Sequence, residues 1–542
     1  MVIAGSGYKI DSRLRGNDEY LRGHQDFMIS KLRITTQGLF FLIFVWLFLQ
    51  TESKGANELG YPVKIFLDAD PLIFITTMLS SRTWYQTFFL AFFVVIATII
   101  LGRVFCGWVC PLGTLHNMVG SLKRKQPKTV HTEWHRFKYY VLFFLLASSL
   151  FTLQLTGIVD PISLLIRSFS LAVYPLFSYA TGAVFDTFYT TNLPPLVTVS
   201  EFIYTLLKKL FLPFQQPFFL QSAFVGLLFF LVLGLNLWER RFWCKYLCPL
   251  GALLGIFSRY SFLKRSVSEG CNNCGACAHV CQGNAAPDMK DAWKNTECLF
   301  CGNCDDVCPQ NAVSFGFGKN KPLTGMDLGK RRVVASLLSG IIAVPLLRIT
   351  PVARAGVSDP KLIRPPGSLD EKQFLRTCVK CGECMKVCIT NGLQPTFLEA
   401  GMEGIWSPVL VPRIGCCDYR CTLCGQVCPT GAIKRLDLAE KVKVKIGLAM
   451  IDKSRCLPYA HATPCIVCEE VCPTPKKAIW FENLKVKNRD GKKLTLKQPR
   501  VDLDLCIGCG ICETKCPVLG QPAIYVSSVG ESRSKDNQLL LP

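Results

Sequence analysis

The cysteines of this chain come in sets of four, and their spacing limits the fold more than any other feature. Cys271, Cys274, Cys277 and Cys281 follow the pattern C-x2-C-x2-C-x3-C, as do Cys298, Cys301, Cys304 and Cys308, the last followed by Pro309. Two more regular sets lie downstream: Cys378, Cys381, Cys384, Cys388, and Cys506, Cys509, Cys512, Cys516. Two are looser, Cys417, Cys421, Cys424, Cys428 and Cys456, Cys465, Cys468, Cys472, each closed by a proline. A disulfide scaffold belongs to short secreted chains; with 29 cysteines grouped this tightly over 542 residues, the spacing is that of metal ligands.

Three thiolates two residues apart close around one face of a [4Fe–4S] cube, and the fourth reaches the other cluster of a pair. In the first pair the expected sharing is Cys271, Cys274, Cys277 with Cys308, and Cys298, Cys301, Cys304 with Cys281. Structural zinc would use two cysteine pairs around a tetrahedron, not repeated triads. Six clusters are therefore expected, with the pairing in the C-terminal half left open. Cys416 and Cys417 are adjacent; Cys417 is the preferred ligand and Cys416 is spare.

Half of the residues are hydrophobic and 37 are Phe, which suggests membrane spans. Five apolar runs, at 33–50, 84–105, 137–157, 218–238 and 333–350, approach the ~20 residues a span requires. Residues 161–217 are apolar but broken by prolines and are left undecided. Lys31, Arg33, the cations at 123–136, Arg240, Arg241, Lys245 and Lys330–Arg332 flank alternate runs and place those ends in the cytoplasm. The net charge of +22 follows largely from these flanks, and no nucleic-acid surface is expected. Residues 1–27 are polar, lack an apolar core and read as a non-native or disordered extension ahead of a start at Met28.

An internal repeat is visible. "DPLIF" at Asp70 leads to "RVFCGWVCPLGTL", and "DPISL" at Asp160 leads to "RFWCKYLCPLGAL". The Asp-Pro pairs have the form of helix starts. The four cysteines at the membrane ends, Cys106, Cys110, Cys244 and Cys248, are enough for one further iron–sulfur cluster. The alternatives are two dithiol pairs used in exchange chemistry and, less compatible with a duplicated pair beside Pro, small buried side chains. No histidine (24, 116, 131, 135, 279 or 461) lies inside an apolar run, so no haem is expected. "GKRRVVASLLSGIIAVPLL…ARA" has the form of a twin-arginine export signal or of an ordinary span, and cleavage after Ala355 is left open.

With these motifs, residues 28–320 resemble NapH, the membrane ferredoxin of periplasmic nitrate reductase systems, through the two "CPLG" loops and "CNNCGACAHVC…CLFCGNCDDVCP". Residues 325–530 resemble NapG, its exported four-cluster partner, through "CVKCGECMKVC", "CIVCEEVCP" and "CIGCGICETKCP". The chain is similar to a fusion of the two. Cys281 and Cys388 depart from the pattern in lacking a following proline. The paired loops also occur in nitrous-oxide-reductase regulators and methylamine-dehydrogenase accessory proteins.

The resemblance implies a helical bundle of four to five spans, built as a tandem repeat, with an α+β ferredoxin-like domain on each side of an inner membrane. Its parts are the extension 1–27, a transmembrane domain 28–262, a cytoplasmic two-cluster domain 263–320, a signal or span 328–355 and a periplasmic four-cluster domain 356–542. The function it implies is quinol oxidation, with electrons drawn from the membrane quinol pool and delivered to a periplasmic reductase, and with no substrate-converting site of the chain's own. The competing function is a maturation or redox-maintenance factor that supplies electrons to another metalloenzyme.

Overall fold

The computed structural model describes residues 28–538 except 54–56, 61, 84–88, 123–133, 191–193, 214, 286–292, 319–327, 349–358 and 488–492. The N-terminal extension, Lys123–Lys128 and Ala353–Ala355 lie outside the described residues.

The five apolar runs fold as the helices Met28–Gln50, Phe89–Leu101, Phe137–Leu150, Ser222–Trp238 and Lys330–Leu347. Two of them have only 13 and 14 described residues, which rise about 20 Å against a hydrocarbon core of about 30 Å. Among the described residues two helices are long and apolar enough to cross a membrane, Ile29–Gln50 and Pro161–Thr190. The second falls in the stretch the sequence left undecided. Its prolines do not break it, because Pro161 sits at the first turn and a π-helical turn at Phe169–Val173 absorbs the irregularity ahead of Pro175. Leu42, Phe93, Leu227 and Ile342 stand exposed on these helices, an apolar surface suited to lipid or to a partner.

The two halves of the repeat pack reciprocally. Helix Pro111–Ser121 of the first half lies on Ser222–Trp238 of the second, and Pro249–Ser258 of the second lies on Phe89–Leu101 of the first. Both crossing helices open on a Cys-Pro step, with Cys110 or Cys248 as the cap and Pro in the first turn. The Asp-Pro steps also start helices. Asp70 accepts from the backbone N–H groups of Leu72 and Ile73, and Asp160 from those of Ile162 and Ser163.

Two iron–sulfur bodies attach to this bundle. In the first, strands Leu263–Val267 and Val313–Phe317 pair antiparallel. The second contains three antiparallel pairs: Leu393–Pro395 with Pro408–Leu410, Leu448–Ile451 with Ile524–Ser527, and Ile479–Lys487 with Lys493–Val501. In the regular cysteine sets the residue after the second cysteine is Gly275, Gly302, Gly382 or Gly510, each left-handed, with φ of 73–86°. The looser sets carry Thr422 and Ile466 there and remain at negative φ, so their loops enter the following helix by a different turn.

The two bodies sit at opposite ends of the bundle. Helix Met28–Gln50 meets the first near its start, where Arg33 donates to Gln282 at 3.3 Å. It meets the second at its other end, where Lys386 donates to the carbonyls of Phe48 and Thr51, both at 2.7 Å. About 22 Å of helix axis separates Arg33 from Phe48. The second body is also held by Lys380 on the Gln154 carbonyl (2.5 Å) and by Arg167 on the Lys380 carbonyl (3.1 Å).

At this seat a methyl group built on Gly157 would lie 1.8 Å from the Val379 carbonyl oxygen. Gly157→Ala is therefore expected to cost about 1–3 kcal/mol of docking, as overpacking does. Faster amide exchange across 378–386, with the strand pairs of the second body still protected, is the signal to look for.

Candidate iron–sulfur centres

In the second body the structure gathers the cysteines into four sets, each completed by a cysteine from its neighbour. Cys428 lies within electrostatic reach of Cys378, Cys381 and Cys384. Reciprocally, Cys388 lies beside Cys417, Cys421 and Cys424. Cys472 joins Cys506 and Cys509, and Cys512 neighbours both of these. Cys516 joins Cys456, with Cys465 and Cys468 beside it.

Two of the gaps are apolar cavities. One is lined by Cys456, Cys465, Cys468 and Cys516, the other by Cys388, Cys416, Cys417, Cys421 and Cys424. Cys416 and Cys417 both neighbour Cys388 and Cys509, and Cys417 also neighbours Cys421 and Cys424.

These sets form a line. The set of Cys378 rests on the bundle, with Val379 and Cys381 in the bundle's own core cluster. The set of Cys417 comes next through the exchange of Cys388 and Cys428. The Cys417 N–H donates to the Cys509 carbonyl at 2.8 Å, which leads to the set of Cys506. Exchange of Cys472 and Cys516 leads to the set of Cys456 at the far end, where Ile466 and Leu519 are exposed.

In the first body Cys281 lies with Cys298, Cys301 and Cys304. Cys271, Cys274 and Cys277 occupy a more open loop in which Cys274 is exposed, and Cys308 accepts from the Ala312 N–H at 3.3 Å.

The donor set fits a cube. Backbone N–H groups point at the sulfurs of Cys281, Cys298, Cys428 and Cys506 at 3.2–3.4 Å, as they do toward cluster thiolates. Among the described residues no three His, Cys, Asp or Glu side chains gather tightly enough for a single metal ion. A four-iron cube spreads its ligands over separate corners and needs the wider gap.

The first body is fastened by groups that the cysteine spacing does not reveal. Glu297, next to Cys298, is buried against Lys138, Arg103 (3.2 Å) and the Tyr139 hydroxyl (2.8 Å). The loop of the first membrane-end cysteines adds close backbone contact. A methyl on Gly107 would lie 2.3 Å from the Leu299 carbonyl, and Trp108 Nε1 donates to the Phe300 carbonyl at 3.0 Å. Burial alone would raise the Glu297 pKa; Lys138 and Arg103 outweigh it and hold the carboxyl below its usual range.

The membrane-end cysteines converge. Cys106, Cys110, Cys244 and Cys248 are all mutual electrostatic neighbours. Beside them an apolar cavity of about 460 Å³ runs between helices Met28–Gln50 and Phe89–Leu101, from Leu47, Phe66 and Ala69 to Phe105 and Val109. The cavity's cysteine-side wall thus flanks Cys106 and Cys110. At its other end, next in sequence to Ala69, the buried Asp70 lies beside the buried Asp160. His116 is bonded to Asn236, not to any of the cysteines.

Comparison with known proteins follows the same lines. Profiles described as 4Fe-4S binding domains match residues 83–129 and 219–268, and a second such profile matches 499–519. The methylamine utilization ferredoxin-type protein MauM of Methylorubrum extorquens is 37% identical over 193 residues, 35% of this chain and 83% of that protein. The ferredoxin-type protein NapG of Escherichia coli is 35% identical over 170 residues, 30% of this chain and 69% of NapG. MauM of Paracoccus denitrificans is 35% identical over 198 residues, 36% of this chain and 82% of its own length. No solved structure matches.

Glu297→Gln leaves two buried cations short of a partner and is expected to loosen the first body by about 3–5 kcal/mol. The pH dependence has a defined sign. Because the folded carboxyl is depressed, its contribution is complete above the unfolded value of about 4.5 and is lost as pH falls through the lower folded value. Thermal unfolding from pH 7 down to pH 3 should show an acid loss in the parent protein that the Gln variant lacks.

Proposed function

Because the chain belongs to the ferredoxin-type protein family that includes MauM and NapG, we propose that this iron–sulfur electron-transfer protein is a membrane-anchored quinol oxidiser. It passes electrons through six [4Fe–4S] clusters toward a reductase on the periplasmic side. The observation that carries this reading is the line of cysteine sets in the second body, which begins against the bundle at Cys381 and ends at an exposed apolar edge. Such a line moves electrons away from the bundle, and Ile466 and Leu519 mark where an acceptor docks.

The bound clusters would supply one-electron carriers whose potentials respond to burial and to the N–H donors around them. This chain's residues do the rest. The cavity between Met28–Gln50 and Phe89–Leu101 is apolar and of a size that takes a small-molecule head group. It opens a path for an isoprenoid quinol between Phe66 and Val109. The two carboxyl groups of Asp70 and Asp160, side by side at one end of the cavity, would take up the two protons that quinol gives up on oxidation. Arg33 at one end of the first helix and Lys386 at the other keep the two bodies on opposite sides of the membrane, in a multi-pass arrangement with residues 359–538 periplasmic.

The test is anaerobic, in detergent, with the clusters loaded. A menaquinol analogue should bleach the visible iron–sulfur absorbance and raise reduced-cluster signals in electron paramagnetic resonance. Ala97→Phe, which fills the cavity, should raise the quinol concentration needed for half-maximal rate by more than about tenfold, with iron content unchanged. Prompt reduction by a soluble low-potential donor with none by quinol would support a redox-maintenance factor instead.

A further inference from the structure

The two segments matched by the first 4Fe-4S profile carry only two cysteines each, Cys106 with Cys110 and Cys244 with Cys248. Neither is enough for a cluster of its own. We propose that the two halves of the repeat jointly hold a seventh [4Fe–4S] cluster in the chamber they enclose, ligated by Cys106, Cys110, Cys244 and Cys248. The site stands whether or not quinol is the donor.

Three observations carry it. The first is convergence: every pair among the four cysteines falls within electrostatic reach, although they come from loops more than a hundred residues apart. The loops are held there by exchange. Arg103 of the first half reaches the second half's Gly251 beside Cys248, and Arg241 of the second half donates to the first half's Cys106 carbonyl at 3.1 Å. Both glycines of the "CPLG" steps are needed for this. A methyl on Gly251 would lie 2.7 Å from the Arg103 guanidinium, and one on Gly113 would lie 2.9 Å from the Cys106 carbonyl.

The second is charge. Arg103 and Arg241 are 2% and 1% exposed, and Arg241 has two nitrogens, Nε and Nη2, with no hydrogen-bond partner. A buried guanidinium that is only partly hydrogen-bonded is costly and calls for an anion. Arg103 neighbours Cys106 and Cys248, Arg241 neighbours Cys110 and Cys244, and Lys138 neighbours Cys248. Against these three cations stands Glu297, leaving an excess of about two positive charges at the chamber. A four-iron core in its oxidised state with four thiolates carries about −2, which balances that excess.

The third is access. Working dithiols must meet another thiol or disulfide, yet Cys106, Cys110 and Cys248 are no more than 9% exposed. A buried set of four suits a resident cluster better than exchange chemistry. The chamber adjoins the first body, whose Leu299, between Cys298 and Cys301, touches Gly107.

The experiment compares anaerobically purified full-length protein with the Cys106→Ser/Cys244→Ser variant. The variant should lose about four iron and four labile sulfide per chain. One species should vanish from a redox titration followed by electron paramagnetic resonance, the others keeping their midpoints. Arg241→Gln, which keeps all four thiols, covers the case in which the serine variant does not fold. It should move the midpoint of one species alone to more negative potential, since a buried cation favours the added electron. Unchanged iron content and unchanged midpoints in the variants would overturn the proposal. So would a Cys106–Cys110 or Cys244–Cys248 disulfide in the protein as isolated, detected by differential alkylation.

Discussion

Each half of the bundle leaves the other unfinished. Arg103 and Arg241 are long cationic side chains, and both are buried. Each crosses to the Cys-Pro loop of the opposite half, so the pairing of the halves is fixed by where the two guanidinium groups can rest. That constraint sets the positions of helices Pro111–Ser121 and Pro249–Ser258, which carry the second cysteine of each pair at their caps. Arg103 then extends the arrangement outward: it binds Glu297 and the Thr296 carbonyl, so the chamber and the first iron–sulfur body share one buried cation.

The opposite end uses different means for the same purpose. There the second body is held by lysines and an arginine on backbone carbonyls, and by a glycine that lets two chains touch at Gly157 and Val379. Carbonyl acceptors at helix ends are unsatisfied by the helix itself, so Lys386 on Phe48 and Thr51 completes a terminus while it docks a domain. The loop that makes this contact carries Cys378 and Cys381, which brings the first cysteine set of the line against the bundle. The surface that docks the second body therefore also carries its first cysteine set.

The cysteine sets were legible in the sequence because ligand spacing is local, and four of them carry the C-G-x-C step that forces the left-handed turn. The partner of each fourth cysteine in the second body was not, since it depends on how one loop packs on the next. The Asp-Pro steps were readable as helix starts for the same local reason, but nothing local shows Asp70 meeting Asp160. Membrane spans were the least legible. Hydropathy marked five runs, yet the helices that form there are mostly shorter than the runs, and the second long apolar helix runs through Pro175, which the sequence reads as a break. Glu297 and Lys138 gave no signal at all, because charges that pair only across the fold look in sequence like surface charges.

The arrangement on two sides of a membrane is tested most directly by labelling. An impermeant amine reagent would be applied to right-side-out and then to inside-out vesicles carrying the full chain, with modified lysines located by mass spectrometry. Lys485, exposed on the second body, should react only in right-side-out vesicles, and Lys264 of the first body only in inside-out ones. Reaction of both lysines from the same side would contradict the account.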